Sequence, residues 1–482
     1  MILSSIIQRN LVLVTIILFL SSISSPLVYS QNPEALEIPK KPSFSSDVSN
    51  WTFTPTSGPA AENTEITVIG ESFLSLLEET WIHSTVDTTG GNSNHALAID
   101  SNGTMHISYY DSYNYKLKYA NFFDLDQDGV ISPSEISITS IDNCNCGTNP
   151  DLTLDSLGNV HISYHDWGNS DGHLKYASYN GSWNIYTVDY GNGLYDVGEY
   201  SSIAVDSNDQ VHIAYTDRQY LFYASLDGNE TWSSEQIVAI GGTNSVNSLV
   251  FDSNDEAQIL WHDGDFGKLS HAKKSGNNWD ITVVDGNDSS ENFHGAGNSM
   301  VIDSNDKLHI AYHYQITDGS HYSKKYASFD GTTWTSMYLT NNSTDGSRTS
   351  IAIDSNGHVH ISYYHSCNGC IPKLIHAQYD GISWNHTQVN TQNMSNHDPP
   401  QYGRYSSLAV DTNGKVHLTY SKHQLTGNGW INSLIYSILP SNSQNNSNEI
   451  SAQFGEYGNV TALVVDDSTI TMFSPIGPLL GD

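Results

Sequence analysis

A chain of 482 residues with 18 Lys plus Arg against 52 Asp plus Glu carries a formal net charge of −34. Such a field repels nucleic acid and anionic membrane, and attracts divalent cations. The 10 Trp, 29 Tyr and 13 Phe supply core material that a disordered acidic chain lacks, so the composition excludes that class.

The N-terminal thirty residues read as a signal peptide. Arg9 precedes an apolar run, Leu11 to Leu20, too short to span a bilayer, and Val28-Tyr29-Ser30 sets cleavage after Ser30. An uncleaved anchor is the alternative. No comparable run follows, so the mature chain is expected to be secreted or at the cell surface, with no integral membrane segment. Residues 31–50 read as a linker. In 51–75, Pro55, Ser57-Gly58-Pro59 and the run Thr64 to Phe73 resemble the opening of an IPT/TIG immunoglobulin-like domain, with Glu62-Asn63 in place of that family's Gly-Gly.

From residue 81 to residue 439 one unit recurs. Seven copies of apolar-x-apolar-Asp-Ser-Asn-Gly-x-apolar-His-apolar-x-Tyr are anchored at Asp100, Asp155, Asp206, Asp252, Asp303, Asp354 and Asp411. Their separations of 55, 51, 46, 51, 51 and 57 residues suit four-stranded propeller blades. Within a unit, a short strand leads into Asp-Ser-Asn-Gly hairpin chemistry and a His-x-x-Tyr strand. A third strand such as Leu174–Ala177 and a Trp-led fourth such as Trp183–Asp189 follow. The expected fold class is therefore all-β, a seven-bladed β-propeller. Its last unit lacks a Trp strand, and Trp81–Asp87 before the first unit supplies one, which predicts velcro closure.

Ser328-Phe329-Asp330-Gly331-Thr332-Thr333-Trp334, and the run from Ser225 to Trp232, resemble the Asp-box turn of sialidase-like (BNR-type) propellers. The resemblance implies the fold and little about activity, since such turns lie away from the active face. Beyond the propeller, Phe454-Gly455, Ala462 to Val465 and Thr469-Ile470-Thr471 resemble later IPT/TIG strands. Residues 449–482 would then complete a split immunoglobulin-like sandwich carrying the propeller as an insert. The last strand of such a domain would fall beyond Asp482.

One motif carries sharp chemistry. Asp124, Asp126, Asp128, Gly129, Val130, Ser132 and Glu135 match an EF-hand calcium loop, which offers a hard cation its six to eight oxygens. Carboxylates come from Asp124, Asp126, Asp128 and Glu135, a backbone carbonyl from Val130, and a hydroxyl or bridging water from Ser132. The flanks are strands, so calcium is expected as a structural cofactor. A solvated acidic loop is the bland alternative. The four cysteines, Cys144 and Cys146, Cys367 and Cys370, are expected to close two local disulfides, with a metal site as the alternative.

Histidines at one repeat position (His106, His161, His212, His309, His360, His417) read as packing residues, because a site does not repeat around a ring. The loops between second and third strands, and between blades, share one face. That face gathers Asp111, Asp166, Asp217, Asp263, Trp167 and the arginines that remain after signal removal, Arg218, Arg348 and Arg404. Guanidinium groups there suit carboxylate recognition, although surface ion pairing is the commoner use. The chain is thus expected to bind an extracellular glycan or protein through this face. The alternative is a carbohydrate-active enzyme, a sialidase-like hydrolase or a polysaccharide lyase. Asn-x-Ser/Thr sequons recur from Asn50 to Asn459, as in secreted glycoproteins.

Overall fold

In the computed structural model the ring is described over residues 81–439, apart from loop segments 127–128, 169–171, 192–195, 241–246, 264–266, 287–292, 316–321, 344–347, 367–372, 390–400 and 427–428. Outside the ring only short strands are described, and the signal segment, Asp128, Cys367, Cys370 and the Arg404 side chain lie outside the described residues. Every described element is a strand, and among the described residues no helix is long and apolar enough to cross a membrane.

Seven antiparallel four-stranded sheets follow one another in sequence order. The second blade shows the pattern: Cys146–Leu154, Val160–Asp166, His173–Tyr179 and Trp183–Asp189, from channel to rim. Its second strand is buried on both faces, while the rim strand is half-buried. The core is divided into seven clusters, one at each interface between neighbouring blades. Each blade therefore needs its neighbours, and an open ring would leave an apolar face wet.

Closure occurs as the repeat phase implies. Ile82–Asp87 pairs antiparallel with Gly429–Leu439, with Ile438 opposite Ile82 and Leu434 opposite Asp87. Trp81 is buried against Leu374, Val389 and Leu408, and meets the His376 ring edge-on at 5.4 Å. Trp81→Ala should cost about 3–5 kcal/mol, read as a lowered urea midpoint; an unchanged midpoint would mean the closing strand is dispensable.

The repeated histidines are structural. His106, His161, His212, His309 and His417 bond through Nδ1 to a tyrosine hydroxyl on the third strand, at 2.6–2.7 Å. Their Nε2 atoms face the turn aspartate of the same blade at 3.4–3.6 Å. The sixth blade replaces the tyrosine with His376, and the fourth pairs Gln258 with His271. A rim-strand Trp then wedges edge-on against that tyrosine or histidine of the preceding blade, as Trp183 does on Tyr119 at 5.2 Å. Trp232, Trp279, Trp334, Trp384 and Trp81 repeat the contact.

Outside the ring, Thr52–Thr54 and Ile66–Ile69 join Glu449–Gln453, Asn459–Asp466 and Thr469–Phe473 in one five-stranded sheet. The join is antiparallel, with Ile69 opposite Thr469. These flanks form a compact unit separate from residues 81–441. The expected sandwich would need a second packed sheet; the described residues add only a two-stranded ribbon, Leu36–Glu37 with Ser57–Gly58.

Candidate functional site

The first strands of all seven blades line a central cavity of about 270 Å³. Aligned on the apolar residue of each first strand, the preceding position holds Ala96, Asp151, Ser202, Ser248, Ser299, Ser350 and Ser407. These side chains tie blades together: Ser350 accepts from the Leu408 N–H at 2.9 Å, Ser407 from Leu97 at 3.0 Å and Ser202 from Leu249 at 3.2 Å. Asp151 performs the same duty toward Ile203 N–H at 3.0 Å and adds a carboxylate that serine lacks. Burial raises its pKa, opposed by hydrogen bonds from Ile203 and Ser202 and by Arg348.

Two residues earlier in the same alignment stand Asn94, Asn149, Tyr200, Gly297, Arg348 and Tyr405. Arg348 comes from the sixth blade and lies over the Tyr200 ring of the third, 5.0 Å from its centroid. Gly297 admits it, since a Cβ there would sit 2.9 Å from the Arg348 Cα. With the Asn94 amide oxygen turned inward, the guanidinium donates to it at 2.8 and 3.0 Å. Among the described residues no carboxylate pairs with Arg348 within 4 Å, and burial pulls its pKa down.

Arg218 reaches this cavity indirectly. Its φ of +71° is a conformation that L residues rarely adopt, and it donates to Asp196 at 2.6 Å and Glu199 at 3.3 Å. Glu199 is bonded to Tyr200, and burial raises its pKa despite Arg218. Beside Asp196 stands His165, buried, with Nε2 lacking a hydrogen-bond partner and its pKa lowered by burial to about 4. Tyr200 and Glu199 thus connect two of the three arginines named from sequence.

The aspartates of that face serve their own loops. Burial opposes ionisation of Asp111, but bonds from Asn114 and Lys118 hold its pKa at about 2. Asp166 pairs with Lys175 at 3.1 Å and accepts from Gly168 N–H. Asp217 accepts from the Gln219 and Tyr220 N–H groups. Asp263 ends the second strand of the fourth blade. Asp151, Asp196, Glu199, Tyr200 and the two asparagines were missed from sequence. Reading the seven units as columns, rather than seeking motifs along the chain, would have exposed Asp151 among serines.

The acidic loop sits elsewhere, at the seam. Carboxylate oxygens of Asp124, Asp126 and Glu135 lie within 4.8 Å of one another. Asp124 accepts from Gly129 N–H at 2.9 Å, and its other oxygen is buried without a hydrogen-bond partner. Gly129 has φ +81°, and a Cβ there would strike Ile82 of the closing strand at 2.6 Å. Glu135 accepts from Ser132 N–H and hydroxyl, which with Leu125 N–H lower its pKa. Val130 is exposed, and Ile131 packs into the cluster between the last and first blades. Ile131 N–H also donates to Ser84 of the closing strand at 2.8 Å. The first blade has no rim Trp, so this loop, with Phe122 edge-on to Tyr436 at 5.0 Å, fills the wedge position at that interface. An orphaned carboxylate oxygen among converging carboxylates fits a hard cation. Cys144 and Cys146 form a disulfide beside it in sequence.

The fold and cavity define the class as a seven-bladed propeller of four-stranded blades with a polar channel site. No protein-family model matches the sequence, and no curated protein is similar to it. Among solved structures, the chain is similar to an α-L-arabinanase of Penicillium chrysogenum complexed with arabinobiose, at 13% identity and TM-score 0.42, over 59% of this chain and 92% of that one. It is also similar to an ulvan lyase of polysaccharide lyase family 25, at 14% identity and TM-score 0.42, over 66% and 90% of the two chains. A Hadza microbial sialidase gives 11% and 0.41, over 70% and 74%. Likeness of this order says nothing about which chemistry the site performs.

Proposed function

We propose that this chain is a secreted or cell-surface propeller that recognises a carboxylated glycan at its central channel, with a structural calcium ion at the ring's seam. The observation that carries the reading is Arg348, a half-buried guanidinium lining the polar cavity that feels Asp151 and Glu199 but, among the described residues, pairs with no carboxylate within 4 Å. In a chain of net charge −34, a cation held that way suits an anionic group brought by a ligand. Asn94, Asn149, Tyr200 and the serine ring supply the hydroxyl and amide groups that sugars bond. Arg404, on the first strand of the seventh blade, is proposed as a further contact. The flanking strands are proposed as a split IPT/TIG-like base, and Cys367–Cys370 as a second local disulfide.

The test is binding of the mature chain to uronate- and sialate-bearing oligosaccharides beside their neutral counterparts. Arg348→Ala should weaken binding about 100-fold, the scale of losing a buried charge-assisted contact. Arg348→Lys should recover only part of it, lacking the planar fork. Equal binding of neutral glycans, or an unaffected alanine variant with an unchanged melting midpoint, would sink the reading.

His165 favours a second reading. An imidazole kept neutral, with an unpaired nitrogen, suits proton transfer, so the alternative is an enzyme acting on the same glycan. New reducing ends without the ultraviolet absorbance of an unsaturated uronate would decide for a hydrolase, and both together for a lyase; intact glycan after long incubation decides for binding alone.

A further inference from the structure

Aromatic exposure on the second blade is not scattered. Trp167 is 48% exposed and Tyr190 68% exposed, although each could have been buried at a blade interface. Both stand at the loop ends of strands. Register places Asp166 opposite His173, and Leu174 opposite Asp189, so residues 167, 173 and 190 occupy one edge of three adjacent strands. Each aromatic is braced by a histidine: Trp167 meets His165 edge-on at 5.2 Å, and Tyr190 meets His173 at 5.3 Å. The two histidines are near enough to influence each other, and His165 also feels Asp196 and Arg218. The order on this blade from rim to channel is therefore Tyr190, His173, then Trp167 with His165, and Arg218 holds the position of Trp167 on the next blade.

We propose that this radial shelf holds the extension of the acidic glycan whose carboxylate Arg348 takes, so that the ligand is a polysaccharide segment rather than a terminal sugar. The proposal rests on the reading of Arg348 given above. Three features carry it. Exposed aromatic faces braced at the edge offer sugar rings a flat apolar surface at little entropic cost, because the side chains are already held. The shelf is continuous with the polar site through His165 and Asp196. Its span, two strand spacings of about 4.8 Å or roughly 10 Å, matches a short oligosaccharide lying flat. A loose protein partner would find no comparable charge match, since Arg348 stands at the inner end and Arg218 is paired with Asp196 and Glu199.

The experiment is a chain-length series. The full mature chain, with calcium, is titrated with galacturonate and with glucuronate-containing oligosaccharides of one, two, four and six residues. Affinity should rise at least about tenfold from monomer to tetramer. Trp167→Ala and Tyr190→Ala should each remove most of that rise while leaving monomer affinity and the melting midpoint unchanged, and Trp167→Phe should keep it. Arg348→Ala should weaken every length. Equal affinity across lengths, or full tetramer affinity in both shelf variants while Arg348→Ala still abolishes binding, overturns the shelf and leaves the Arg348 reading standing. No binding at any length by the wild-type chain overturns both.

Discussion

Calcium should raise the melting midpoint of the chelator-treated chain and, in the same experiment, slow amide exchange in residues 82–87 more than in other strands. The reasoning runs through the seam. Asp124, Asp126 and Glu135 converge, and the residues between them touch the closing strand twice, Gly129 against Ile82 and Ile131 N–H on Ser84. A cation that neutralises the carboxylates therefore fixes the loop that covers the joint between the last and first blades. A ligand bound only by the folded state adds about 2.7 kcal/mol at a hundredfold excess over its dissociation constant. Asp124→Asn should abolish the calcium response and leave the metal-free midpoint nearly unchanged, since an amide oxygen still accepts from Gly129. Protection spread evenly over all blades, or no calcium effect on a folded sample, would reduce the loop to a solvated acidic turn.

Acid should destabilise the ring well before the lowered turn aspartates titrate. Burial holds His106, His161, His212, His309 and His360 below the ordinary histidine value. It lowers His271 and His165 to about 4, and His376 to about 3. In the unfolded chain these groups take protons near pH 6.5, so their contribution is intact above that pH and is lost as pH falls toward the folded values. Between pH 7 and pH 5 the loss is about 2 kcal/mol for each of the three most shifted histidines. Asp87 and the turn aspartates Asp100, Asp155, Asp252, Asp303, Asp354 and Asp411 have lowered values and give up their stability only below about pH 4. His376→Tyr, which restores the pairing seen in five other blades, should remove one share of the acid sensitivity. A urea midpoint that is flat from pH 7 to pH 5 would refute this account.

Sequence alone determined the ring. Seven turn aspartates at near-constant spacing, a His and a Tyr at fixed offsets and a displaced Trp81 strand are local patterns, and each maps to one strand or turn. Hairpin chemistry and alternation act over a few residues, so they can be read along the chain. Strands 66–69 and 469–473, placed by the sequence in the two flanking segments, pair within one five-stranded sheet.

The channel site was decided by tertiary structure. Arg348, Tyr200 and Asn94 come from the sixth, third and first blades, and no spacing rule links them. Closing the ring brings one position of every blade to a common axis, which turns a column of the repeat into the wall of a cavity. That is why Arg348 read as one loop-face cation among three, whereas the fold sets it half-buried in the channel wall among Tyr200, Asn94 and Asp151. The loop-face aspartates Asp111, Asp166 and Asp217 also accept from N–H groups of their own loops, because a short loop satisfies its own backbone donors, a local bond that no ligand-binding reading needs to break.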